Sequence, residues 1–159
     1  MWEGSVVSIH LAPANGAPTY PVAEVKAVAG AGLEGDRHYR PVGEQAPQDE
    51  LTLIASEALE ALAYEFGMAL EPGEHRRQVV TAGVSLNDLV GQEFQVGTVR
   101  LRAIKLNEPC QHLEDVTGRP GLIEGLLHRG GIRAQILTGG TIQVGAPITP
   151  VAATAGADA

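Results

Sequence analysis

Short alternating runs of apolar and polar residues predict that this chain consists mainly of β-strands. Residues 6–11 and 22–28 alternate with a period of two, and residues 78–81 form a further short apolar run. The alternation predicts strands that bury one face and expose the other. The clearest case is residues 94–102, where the pattern continues on both sides of Gly97 and predicts a hairpin.

A second hairpin is predicted near the C-terminus. Residues 133–137 and 141–144 flank the turn-forming sequence Thr138-Gly139-Gly140. We expect this hairpin to close the sheet. The chain also contains 20 Gly and 10 Pro, so turns separate the short strands at frequent intervals. These features favour a mainly β fold, a β-barrel with a few short peripheral helices.

Helical periodicity occurs in two places. In residues 56–66, apolar side chains recur at helical spacing between Ser56, a predicted N-cap, and Gly67. A second helix is predicted from Pro120 to about Arg129. Ser85 is predicted to cap a short helical turn, and residues 40–49 have the composition of an exposed loop.

Length and composition limit the possible classes of protein. The 159 residues suit one domain, predicted at residues 1–150, with a disordered tail at residues 151–159. The net charge of −8 argues against nucleic acid as a partner, because phosphate binding requires a basic face. No apolar stretch is long enough for a membrane span, and the first residues lack a secretory signal. With a single cysteine as well, the expected location is the cytoplasm.

The few basic residues fall partly into three tight groups. These are Asp36-Arg37-His38, His75-Arg76-Arg77 and His128-Arg129. Local positive charge in an acidic protein predicts an anion pocket if the groups converge, whereas each group alone is also typical of a solvated surface. Strand alternation would send Arg76 and Arg77 to opposite faces, so only one of them would line a given pocket.

Cys110 is the leading candidate for chemistry. As the only cysteine it cannot form an intrachain disulfide, so a function would lie in thiol reactivity or in ligation of a soft metal. The alternative is that it is a buried small hydrophobe. His112 would share its side if the segment were extended, but this spacing is too local to define a cysteine hydrolase, and the scattered histidines do not match a zinc site.

Taken in order, several segments resemble the MOSC domain family, which is named after the C-terminal domain of molybdenum cofactor sulfurase. The resemblance is to a stand-alone, bacterial-type member of that family. The resemblance spans roughly residues 4–148 and rests on the order and spacing of its segments. They are Gly35-Asp36-Arg37-His38, residues 76–84, residues 86–91, Glu108-Pro109-Cys110, residues 128–134 and residues 139–145.

The resemblance implies a MOSC-type β-barrel with a pocket that handles the molybdenum cofactor (molybdopterin) or its sulfur. Cys110 would be the catalytic residue and the metal ligand, either bound to molybdenum or carrying sulfur as a persulfide. The positions that would bind the cofactor are Arg37, His38, Arg76, Arg77, Gln78, His128 and Arg129. Gln78 stands where the family commonly has asparagine, and Ala146 where aspartate is usual.

Three functions remain open at this point. The chain could bind the cofactor and deliver it or its sulfur to a molybdoenzyme, with a sulfur donor as another partner. It could instead be a molybdenum-dependent reductase of N-hydroxylated compounds, supplied with electrons by an electron-transfer protein. The third is a non-catalytic β-barrel that binds a small anion or a protein partner, with Cys110 merely packed.

Overall fold

The structure, a computed structural model, describes residues 2–151. Most of the predicted tail, residues 152–159, lies outside this part of the chain. The strands are β1 (Gly4–Leu11), β2 (Tyr20–Val22), β3 (Glu24–Val28), β4 (Gly32–Leu33), β5 (Leu51–Ala55), β6 (Val79–Ala82), β7 (Glu93–Val96), β8 (Val99–Leu106), β9 (Ile132–Thr138), β10 (Gly140–Gln143) and β11 (Pro147–Pro150). The helices are α1 (Ser56–Phe66), α2 (Gln111–Thr117) and α3 (Leu122–Gly125), and short 3₁₀ turns lie at Pro47–Asp49 and Leu86–Leu89.

Seven strands close into a barrel, in the order β1, β11, β7, β8, β9, β5, β6 and back to β1. Closure comes from the pairing of β1 with β11, where Gly4 lies opposite Ile148. All neighbouring pairs in the barrel are antiparallel except β5 and β6. The prediction of a mainly β barrel with a few short peripheral helices is confirmed.

The barrel interior is filled by the apolar positions of the alternating strands. In β9, Ile132, Ala134 and Ile136 are buried while the residues between them are partly exposed. Phe94 of β7 and Leu101 of β8 belong to the same core. The inner face is therefore used for packing, and polar side chains of these strands point to the outside.

The outer faces of β5 and β6 are covered by the helices. Ile54 and Val80 pack with Leu62 of α1, Leu113 of α2 and Leu122 of α3 in a second apolar cluster. β5 and β6 are therefore buried on both faces. This cluster holds the start of α2 against the outside of the barrel.

The two predicted helices had different outcomes. The first helix spans the predicted residues, and Gly67 ends it with a positive φ of 63°. Ser56 is its first residue and not its N-cap, a position occupied by Ala55. The helix predicted from Pro120 to Arg129 is reduced to α3, and helix α2 was not predicted. Within residues 2–151, no helix has both the length and the apolar character that a membrane span requires.

The predicted C-terminal hairpin is wrong. β10 does not pair with β9 but with β3, which also pairs with β4 in a separate small sheet. Gly139 makes this crossing possible, because a Cβ at that position would lie 2.6 Å from the carbonyl oxygen of Ala27. The predicted strand at residues 22–28 is likewise divided between the two sheets, since β2 pairs with β1.

Candidate functional site

Arg77 is the most deeply buried cation of the described chain, with 6% of its surface exposed. Its Nε donates to the carbonyl oxygen of Gly130 and its Nη2 to that of Asn107, both at 2.8 Å. No carboxylate among residues 2–151 forms an ion pair with it. Burial lowers the pKa of Arg77 to about 10, so the side chain stays charged at neutral pH. The fold thus holds a buried positive charge with no neighbouring counter-ion in contact.

Cys110 lies next to this charge and is exposed. Burial and then the charge of Arg133 lower the pKa of Arg77, and electrostatic interactions with Cys110 and with Glu108 act to raise it. The backbone fixes this proximity, because a Cβ at Gly130 would lie 3.0 Å from Nη2 of Arg77 and 3.2 Å from Cδ of Pro109. The accessible thiol and the buried guanidinium therefore belong to one site.

The relation predicted between Cys110 and His112 does not hold. Cys110 is the residue before α2, and His112 lies within that helix and not on an extended segment. Helix residues two apart do not face one another. Both side chains are exposed, and the structure gives no hydrogen bond between them.

Arg133 connects Arg77 with the first basic group. Its Nε donates to Oδ1 of Asn107 at 3.0 Å, and its Nη1 forms an ion pair with Asp49 at 2.8 Å. Its positive charge contributes to lowering the pKa of both Arg77 and His38, although burial is the larger cause for each. Arg133 and Asn107 were not among the predicted site residues. The sequence did contain a signal for Arg133. It lies on β9 between two residues that face the barrel core, so its own side chain is on the outer face.

The loop that carries Arg37 and His38 is fixed to the end of β1. The buried carboxylate of Asp36 accepts hydrogen bonds from the backbone N–H groups of Ala12 at 2.9 Å and His38 at 3.0 Å. Burial, followed by the charge of Arg37, lowers the pKa of His38, so this imidazole is neutral at neutral pH. The neutral imidazole of His38 is therefore a hydrogen-bonding group, while Arg37 carries the positive charge of this loop.

Arg76 approaches the same loop from the second basic group. It has a positive φ of 63°, and its Nη1 donates to the carbonyl oxygen of Ala17 at 2.7 Å. Burial lowers the pKa of Arg76, and the charge of Arg37 lowers it further. Both arginines precede β6, which begins at Val79, so the predicted strand alternation does not apply to them. They have different hydrogen-bond partners, yet electrostatic neighbours connect both to one set of residues. We call Arg37, His38, Arg76, Arg77 and Arg133 the basic cluster.

Gln78 lies beside this cluster with one hydrogen-bonding group unused. Its Oε1 accepts from the backbone N–H of Thr52 at 2.9 Å, which fixes the orientation of the amide. Thr52 is the strand partner of Arg133. The Nε2 of Gln78 is buried and has no partner among the described residues. A buried donor without an acceptor is costly, by about 1–3 kcal/mol, and is expected where a ligand completes the site.

The third basic group is directed elsewhere. Nδ1 of His128 lies 2.6 Å from a carboxylate oxygen of Glu108, and Nη2 of Arg129 lies 2.6 Å from one of Glu65. Both residues line a separate cavity of about 530 Å³ beside α1. Their side chains are therefore occupied by carboxylates, unlike that of Arg77.

Burial of three histidines predicts that stability falls on acidification. Burial lowers the pKa of His10, His38 and His75, and that of His75 to about 3 from 6.5. Between these two values the unfolded chain binds a proton that folded His75 does not, so the free energy of unfolding decreases as pH falls. We expect a loss of about 1.4 kcal/mol per pH unit from His75 alone.

Urea unfolding followed from about pH 6 to about pH 4, within the interval between the two pKa values, measures this slope. In His75→Gln, the amide oxygen can still accept from the backbone N–H of Arg77, a bond that Nδ1 of His75 makes at 2.9 Å. The slope should be smaller in this variant. An identical slope in the two proteins would contradict the assignment to His75.

Comparison with known proteins identifies the fold. The family model described as the MOSC domain matches residues 34–149. The YuaD protein from Bacillus subtilis is similar in structure, with a TM-score of 0.77, 18% identity, and coverage of 93% of this chain and 97% of that chain. YiiM from Geobacillus stearothermophilus gives a TM-score of 0.72 at 19% identity, over 93% of this chain and 75% of that chain.

YiiM from Escherichia coli has the same likeness, with a TM-score of 0.66 and 19% identity over 92% of this chain and 69% of that chain. A search of curated protein sequences finds no significant match. At these identities the structural neighbours establish the fold alone.

Proposed function

Because the chain belongs to the MOSC domain family, which is associated with the molybdenum cofactor, we propose that this protein binds that cofactor, with Cys110 as the metal ligand. The observation that carries the proposal is the exposed thiol of Cys110 beside the buried charge of Arg77, which forms no ion pair among the described residues. A thiolate suits a soft metal centre, and a guanidinium suits an anionic group. The two are joined in one site.

The residues present fit such a group. Among residues 2–151, no three His, Cys, Asp or Glu side chains form a metal-binding set, so Cys110 would be a single protein ligand, with the pterin supplying the others. The unpartnered Nε2 of Gln78 offers a hydrogen bond to an acceptor of the ligand. The site therefore combines one soft ligand, several cations and a free amide donor.

Each residue would have a distinct task in binding. Arg37 and Arg76, which are only half-buried, would hold the phosphate of the cofactor, and Arg133 and Asn107 would keep Arg77 in place. When bound, the cofactor would supply redox chemistry at molybdenum, or a sulfur atom for transfer. His128 and Arg129 have no task here, because each side chain already has a carboxylate partner.

The test is the cofactor content of the purified protein. Protein produced in a host that makes the cofactor should contain close to stoichiometric molybdenum and release pterin on denaturation. Protein from a host strain unable to make the cofactor is the control and should contain neither. Absence of both from protein made under reducing conditions would overturn the proposal and favour a module that binds another anion.

A second assay, on protein loaded with the cofactor, distinguishes delivery of the cofactor from reductase activity. We propose delivery of the cofactor or its sulfur to a molybdoenzyme in the cytoplasm as the first role, because Cys110, the proposed metal ligand, lies at the exposed surface where a protein partner could reach it. Loaded protein mixed with an apo-molybdoenzyme should then activate it. Reduction of a simple hydroxylamine by loaded protein with an electron donor, without such activation, would instead identify a reductase.

The phosphate-binding task predicts a charge-specific loss of affinity. Arg37→Gln should weaken cofactor retention by roughly 10- to 150-fold, since a hydrogen bond to a charged group contributes about 1.5–3 kcal/mol. Arg129→Gln is the matched control, because it removes an arginine that is paired with Glu65. Molybdenum and pterin remaining after dialysis measure both. Equal losses in the two variants would contradict the role of Arg37.

A further inference from the structure

Arg133 is the member of the basic cluster whose side chain pairs with a carboxylate. Its Nη1 donates to Oδ1 of Asp49 at 2.8 Å, and the two side chains are 34% and 40% exposed. Among residues 2–151, Nη2 of Arg133 has no hydrogen-bond partner. An anion from solution can therefore reach this guanidinium, but it meets the carboxylate of Asp49 there.

Arg133 has a second anchor that does not depend on Asp49. Its Nε donates to Oδ1 of Asn107 at 3.0 Å, and Asn107 is only 6% exposed. The backbone N–H of Asn107 donates in turn to the carbonyl oxygen of Gly131 at 2.8 Å, directly before β9. A buried amide thus fixes the guanidinium at one nitrogen, while Asp49 binds a different nitrogen and is itself partly exposed.

The turn that carries Asp49 is likewise held by other contacts. Asp49 is the last residue of the 3₁₀ turn Pro47–Asp49. The next residue, Glu50, is 1% exposed, and its carboxylate accepts from the backbone N–H groups of Gly30 at 3.2 Å and Ile136 at 3.0 Å. A buried group therefore fixes this turn to β9. Loss of the Asp49 carboxylate should not release it.

The charge of Asp49 acts on the same residues as the charges of the basic cluster. Burial is the largest cause that lowers the pKa of His38, and the charges of Arg37 and Arg133 lower it further, whereas that of Asp49 raises it. Arg37 is half-buried and forms no ion pair within residues 2–151. An anion that binds both Arg37 and Arg133 therefore meets the negative charge of Asp49.

We propose that the Asp49 carboxylate occupies the anion-binding position of Arg133 when no ligand is bound, and that a phosphate group of the ligand displaces it. The inference rests on the phosphate-binding task proposed for Arg37 and Arg76. Asp49 is tethered beside Arg133 at a high effective concentration, so it lowers the affinity of the cluster for any anion. A phosphate group overcomes this competition because its several charged oxygens engage more than one arginine. Limited affinity suits a protein that must hand its ligand on.

NMR titration with inorganic phosphate tests the proposal. The protein comes from the host strain unable to make the cofactor, and pH and ionic strength are kept constant. In wild type, phosphate should shift the amide resonances of Arg37, His38 and Arg133. It should also shift the side-chain carboxyl ¹³C resonance of Asp49, because the ion pair with Arg133 is lost as the site fills.

Two carboxylates near each other in the sequence provide a matched pair of variants. Asp49→Asn should tighten phosphate binding about threefold to tenfold, because no ion pair has to be broken and no negative charge repels the anion. Asp49→Glu keeps a carboxylate and should stay within about twofold of wild type. The control is Glu44→Gln, at an exposed residue that forms no ion pair among residues 2–151. It should change the affinity by less than about twofold.

The sign of the effect distinguishes competition from support. Weaker phosphate binding by Asp49→Asn would show that Asp49 holds Arg133 in place, and equal tightening in Glu44→Gln would show an effect of net charge alone. Either result would overturn the proposal. An unshifted carboxyl resonance of Asp49 in phosphate-saturated wild type would also overturn it, and this measurement needs no variant.

Failure of this inference is distinguishable from failure of the proposed function. Absence of phosphate binding to wild type and variants would overturn both this inference and the phosphate-binding task of Arg37 and Arg76. The expected phosphate results, together with no cofactor in protein from a host that makes it, would support the role of Asp49 and overturn cofactor binding alone.

Discussion

Replacing the thiol of Cys110 by a hydroxyl in Cys110→Ser should reduce bound molybdenum at least about tenfold relative to wild type. A serine hydroxyl is not ionised at neutral pH and is a harder ligand than a thiolate, so it cannot replace the metal–sulfur bond. Because Cys110 is exposed and lies outside both apolar clusters, the change should leave the free energy of unfolding nearly unaltered. Metal analysis of protein purified under reducing conditions measures the loss.

The matched control for this variant is Gln111→Ser, at the exposed neighbouring residue, whose side-chain hydrogen bond is to Asp115. It should retain wild-type molybdenum. Equal molybdenum in Cys110→Ser and wild type would show that the metal is held without the cysteine. If pterin stays bound while molybdenum is lost, the basic cluster binds the organic part independently of the sulfur.

Local pattern predicted the parts of this fold that are stabilised by local structure. The helix from Ser56 to Phe66 and the hairpin around Gly97 were predicted because both depend on nearby residues. The second hairpin failed because a glycine-rich turn signal does not reveal the partner of the next strand. Pairing of β10 with β3 depends on residues more than 100 positions away in the chain, which no local pattern contains.

The sequence predicted which residue types form the candidate site better than it predicted how those residues are arranged. The groups that contain Arg37 and Arg77 do approach each other, directly between Arg76 and Arg37 and also through Arg133, which the prediction of site residues had omitted. The side chains of the group at His128 are instead paired with the carboxylates of Glu108 and Glu65. These outcomes depend on which carboxylates and carbonyl groups compete to bind each basic side chain. That competition is a property of the folded chain and not of residue spacing.

The largest loss of stability is expected from a substitution at Gly131, in the loop before β9. Gly131→Ala should destabilise the protein by more than about 4 kcal/mol. The added Cβ would lie 1.8 Å from the carbonyl oxygen of Leu53, in backbone that cannot move without disturbing β5. Gly131 also has a φ of 96°, which costs an alanine about 1–3 kcal/mol by itself. Its carbonyl accepts from the N–H of Asn107 at 2.8 Å, so the contacts of Arg77 should be lost as well.

Gly145→Ala separates the steric contribution from the conformational one. Gly145 has a similar φ of 92°, but nothing lies within 4 Å of the added Cβ. This variant should lose only about 1–3 kcal/mol, the cost of the backbone conformation. Urea midpoints of the two variants, measured with wild type, give the comparison. Equal destabilisation would mean that the backbone at Leu53 moves to accommodate the added Cβ. The prediction that this loop supports the Arg77 site rigidly would then be wrong.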